Sequence, residues 1–80
     1  MANGVFIERN GYFVVCDAVQ LQNGKWGATA MFERKWDHDH NALVPGMRHN
    51  IKAQFDSKND AIQAALAVAH QRADADDTGL

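Results

Sequence analysis

The densest set of metal-capable groups in the chain is Asp37-His38-Asp39-His40, two imidazoles and two carboxylates in consecutive positions. Histidine and aspartate are ordinary ligands for first-row metals. The spacing does not favour a site, because i,i+2 histidines on an extended chain point to opposite sides and no helical HExxH pattern supports them. The segment reads as a solvated polar loop, and no bound metal is expected.

Cys16 is the single cysteine, so neither an internal disulfide nor a paired-cysteine zinc site can form. A nucleophilic thiol would need a histidine and an orienting group converging on it. Cys16 lies instead within the apolar run Tyr12 to Leu21, where a buried thiol acts as a small hydrophobe. The sequence has no GxSxG elbow, phosphate-cradling glycine loop or paired-carboxylate pattern. No catalytic residue and no cofactor is expected, and the chain is read as a non-enzyme.

A third set, Arg34, Lys35, Arg48 and Lys52 with Trp36 beside them, could gather at one end of a sheet as a binding surface. Arginines and aromatics on an open sheet can hold nucleic acid. Glu33, Asp37 and Asp39 are interleaved with them, the net charge is −2 and the pI is about 6.0. Nucleic acid is therefore less favoured than a protein partner. No apolar run approaches the length of a membrane span and no signal-peptide pattern opens the chain, so a cytoplasmic protein is expected.

Eighty residues, 46% hydrophobic and 22% charged, make one domain with an ordered core over about 5–73, residues 74–80 being a flexible tail. Stability should be on the order of 4–12 kcal/mol. Asn23-Gly24 marks a hairpin, and Asn10-Gly11 marks a hairpin or a kink, since both residue types tolerate positive φ. Strands are expected over 12–22, 25–34 and 48–55, with Val5-Phe6-Ile7 as a possible fourth, and a loop from Trp36 to about Gly46. In the last strand His49, Ile51, Ala53 and Phe55 share one face by simple alternation.

Ser57 is a good N-cap with Asp60 three residues on, and a helix is predicted over 59–73. It should pack through Ile62, Ala65, Leu66 and Ala69 onto Trp26 or Phe32 with Ile51 and Phe55. Leu66→Ala would then cost about 2–4 kcal/mol. The fold class is α+β: a three- or four-stranded antiparallel meander with one C-terminal helix on one face.

The arrangement Gly11-Tyr12, then Gly24-Lys25-Trp26-Gly27-Ala28, then Phe55-Asp56-Ser57 before an alanine-rich helix resembles small bacterial βββα proteins of unknown function. The resemblance spans about residues 11–73. It implies a fold and a bacterial cytosolic setting, and no activity.

The segment Tyr12 to Leu21 is apolar on both alternating faces, while a single helix covers one. Either a bulge near Asp17 shifts the register, or a second chain covers the open face. A homodimer through Tyr12, Phe13, Val14 and Val15 is the expected partnership, a further protein partner being unidentified.

Overall fold

A computed structural model describes residues 4–36 and 46–80. Among the described residues the elements are β1 (Val5–Arg9), β2 (Tyr12–Gln20), β3 (Trp26–Arg34), β4 (Met47–Phe55) and helix α1 (Lys58–Asp74). The strands form one antiparallel meander in the order β1-β2-β3-β4, with the helix across one face, an α+β fold. Val5-Phe6-Ile7, expected as a possible additional strand, lies in β1 at one edge of the sheet. Lys35 and Trp36 have helical backbone at the end of β3, and residues 37–45 of the expected loop lie outside the described residues. No described helix is long and apolar enough to cross a membrane.

The two Asn-Gly pairs make different turns. Asn10 (φ 50°) and Gly11 (φ 82°) are both left-handed, as a two-residue type I′ hairpin requires. At the second pair only Gly24 (φ 86°) is left-handed. Gly24 N–H donates to the Leu21 carbonyl and Leu21 N–H to the Lys25 carbonyl, giving a three-residue loop closed by a glycine bulge. The Asn23 side chain accepts from Lys25 N–H at 3.0 Å, which holds Asn23 right-handed and leaves the positive φ to Gly24.

The core lies between the helix and the sheet. Tyr12, Val14 and Cys16 of β2 and Ala28, Ala30 and Phe32 of β3 are buried beneath Ala61, Ala65, Ala69 and Ala73 of the helix. A stripe of alanines lets the backbone lie close to the sheet, which suits the small Ala28 and Ala30 below it. Ser57 caps the helix by accepting from Asp60 N–H at 3.0 Å. The packing face is rotated toward Ala61, so Leu66 is half-buried on its flank. Leu66→Ala is accordingly expected to cost about 1–2 kcal/mol rather than 2–4, because half the side chain already meets water. Urea denaturation of the variant measures it.

In β4 the simple alternation fails after Ile51. Ile51 pairs with Ala28 and Phe55 with Trp26, so four steps of β4 span two of β3. This bulge keeps Ile51 and Phe55 against the core and leaves Ala53 exposed.

Residues 74–80, expected as a loose tail, are laid against the sheet. Asp77 N–H donates to the Arg72 carbonyl and Asp76 N–H to the Ala73 carbonyl, with Asp76 left-handed at φ 54°. This is a Schellman cap in which aspartate stands where glycine is usual. Thr78 is fully buried, its carbonyl 2.9 Å from His49 Nε2, and Leu80 packs on the core. The β1–β2 hairpin grips the same end. Arg9 donates two 2.8 Å bonds to the Asp74 carboxylate, Asn10 donates to the Ala73 carbonyl, and Tyr12 Oη to Asp76 at 3.1 Å. The Arg9 bonds hold Asp74 below its ordinary carboxylate pKa.

Candidate surface on the open sheet face

The registers fix which side chains share the face opposite the helix. Glu8, Phe13 and Glu33 form one row across β1, β2 and β3, and Phe6, Val15, Met31 and Arg48 form the next across all four strands. Asp17, Thr29 and Asn50 follow, then Val19 and Gly27. Pairing of β2 with β3 runs from Tyr12↔Arg34 to Gln20↔Trp26 without a shift, which excludes a bulge near Asp17. Both apolar sides of β2 therefore stand as alternation dictates, one under the helix and one on the open face.

Four residues were expected to mediate self-association, and the sheet divides them. Tyr12 and Val14 are in the core beneath the helix, 9% and 0% exposed, so they offer nothing to a partner. Phe13 and Val15 point from the other face and are half-buried. Around them stand Phe6 at 62% and Val19 at 56% exposure, with Met31 between. Phe6 and Phe13 rings sit 5.3 Å apart, tilted 36°. Phe6 and Val19 were not among the residues expected to mediate self-association; alternation along β2 from Phe13 and Val15 reaches Val19, and the two-residue Asn10-Gly11 hairpin register adds Phe6.

The basic set does not converge. Arg34, Lys35 and Trp36 sit at the end of β3, where Lys35 Nζ meets Glu8 at 3.3 Å and Trp36 is 63% exposed. Arg48 lies on β4 against Met31, and Lys52 lies further along in the bulged stretch. Carboxylates of Glu8, Asp17 and Glu33 are distributed over the same face.

A depression of about 360 Å³ opens near the bulge, lined by Val19, Leu21, Gly27, Thr29, Lys52 and Ala53 among others. A second, of about 390 Å³, follows the β4 edge and the helix end, between Ile51 and Lys52 on one side and Val68 and Arg72 on the other.

The remaining chemical candidates contract. The Asp37–His40 segment lies outside the described residues, and among the described residues no three His, Cys, Asp or Glu could hold a metal. Cys16 is fully buried, and loss of solvation, reinforced by the charge of Asp17, pushes its thiol up to about 11. The native thiol is thus expected to resist alkylation at pH 8 and to react once urea unfolds the chain. Because the folded pKa lies above the unfolded one, this contribution to stability is present below about pH 8.5 and lost as pH rises through about 11. Alkaline titration of Cys16→Ala, which should flatten that fall, checks the sign.

Comparison of the chain with protein-family models, curated proteins and solved structures finds no match.

Proposed function

We propose that this chain is a non-catalytic protein-interaction module that joins a second copy of itself through the open sheet face. The observation that carries the reading is the continuous apolar row Phe6-Val15-Met31, flanked by Phe13 and Val19, on a face that no described element covers. The area is also adequate. Three strands of nine residues and β1 with five, at about 4.8 Å by 3.3 Å per residue, give a projected face of about 510 Å². The accessible surface of so corrugated a face exceeds its projection, which places it at the low end of specific interfaces, about 600 Å² per partner. A phosphate backbone suits this face poorly, because Glu8, Asp17 and Glu33 stand among its aromatics. A bacterial cytosolic setting belongs to the same proposal, and the lone buried thiol needs no oxidising compartment.

Light scattering tests the reading at about 100 μM protein, where a dimer of micromolar affinity is populated. A mass near twice 8.9 kDa supports it and a mass near 8.9 kDa rejects it. Val15→Asp is expected to give the monomer with its helical circular dichroism intact. If the variant unfolds instead, Val15 belongs to the protomer's own core.

A further inference from the structure

We infer that the two copies meet about a two-fold axis parallel to the strands, with Val19 of each entering the hollow over Gly27 of the other. This rests on the dimer reading above and adds its alignment. Val19 and Gly27 are cross-strand partners on the open face, so they occupy one row on neighbouring strands. An axis running along the strands between β2 and β3 superposes β2 of one copy on β3 of the next. It places each Val19 over the other's Gly27 with no slippage between rows.

The shapes match that superposition. Val19 is the most exposed aliphatic side chain of β2 on this face, at 56%. Gly27 lacks a side chain in mid-strand beside the bulge, and the depression of about 360 Å³ opens over it. Glycine inside a strand commonly marks close approach by another backbone or side chain. Gly27 is not required by its own protomer. A Cβ built there would meet Leu21 Cδ2 at 3.6 Å, an ordinary contact, and its φ is not in the left-handed region.

The charges select the same axis. It lays β1 over the partner copy's β4, so that the Phe6 ring comes over Arg48, with Glu8 one row along. Asp17 falls opposite Thr29, a hydrogen-bond donor that can hold each carboxylate away from its own copy, which lies diagonally across the axis in the same row. The competing axis, in the same plane but across the strands, lays β4 over β4. It brings Arg48 and Lys52 toward their own copies and leaves the hollow over Gly27 empty. Like charges facing each other oppose that arrangement.

The test is an exchange of knob and hole, read by sedimentation equilibrium. Gly27→Val fills the hollow and is expected to weaken the dimer by about tenfold or more while the fold is kept. The double variant Val19→Gly with Gly27→Val moves the knob to β3 and the hole to β2, which the two-fold axis should accept, and is expected to recover most of the wild-type affinity. If Gly27→Val does not fold, Gly27→Ala and Val19→Ala carry the test, each expected to weaken association several-fold. A dimer broken by Val15→Asp but indifferent to every change at 19 and 27 overturns the alignment and leaves the face-to-face dimer standing. A monomeric wild type overturns both.

Discussion

Phe32→Ala is expected to remove about 3–5 kcal/mol of stability, a large share of what a chain of this size holds. Phe32 is the largest fully buried side chain described. It stands on a central strand between Val14 of β2 and Met47 of β4, with its ring edge-on to His49 at 5.4 Å. The neighbours that would have to collapse into the space are held by the sheet ladders on both sides, so most of the cavity persists. Urea denaturation followed by circular dichroism gives the difference. A loss below about 1 kcal/mol would mean that the end of the sheet repacks freely, and the burial argument would fail.

The alanine stripe gives the second large effect. Ala65→Leu should cost about 3 kcal/mol, the upper part of the overpacking range, because Ala65 is fully buried at the helix–sheet contact. Ala67→Leu, the same change two residues on at an exposed position, should stay within about 0.5 kcal/mol. The pair separates spacing from helix propensity, which changes equally in both. If the two variants melt together, the helix does not depend on small residues to approach the sheet.

Ala65 also shows what was legible in the sequence. Periodicity of apolar residues located the helix and three strands to within two residues, because burial on one face leaves a period in the chain. It placed Leu66 too deep, since a 3.6-residue repeat assigns a face without saying how far the helix is rolled on it. Alternation in β4 misplaced Ala53, because the bulge resets the count within β4 while the glycine that marks it, Gly27, lies on the facing strand β3. The docked C-terminal segment was invisible for a similar reason: the left-handed residue that ends the helix is Asp76, and aspartate-rich ends ordinarily read as solvated. On the open face, Phe13 and Val15 were legible and Tyr12 and Val14 were misassigned. Two apolar sides of one strand look alike until the helix is seen to choose one of them. Gly27 could have been singled out as a strand-interior glycine, but the hollow above it is a tertiary feature.

The hydrogen bonds of Arg9, Asn10 and Tyr12 to the helix end join residues 63–65 positions apart in an 80-residue chain. The meander can grow by neighbouring hairpins, each closing a short loop. These clasps close nearly the whole chain, and their entropy is recovered only when both ends are in place. On a chain emerging residue by residue, the first hairpin must therefore wait for the last element before its grip can form. Until then the apolar underside of β2 stands uncovered, as its upper side does among the described residues of the finished fold, so the nascent sheet has a second sticky face that the folded protomer lacks.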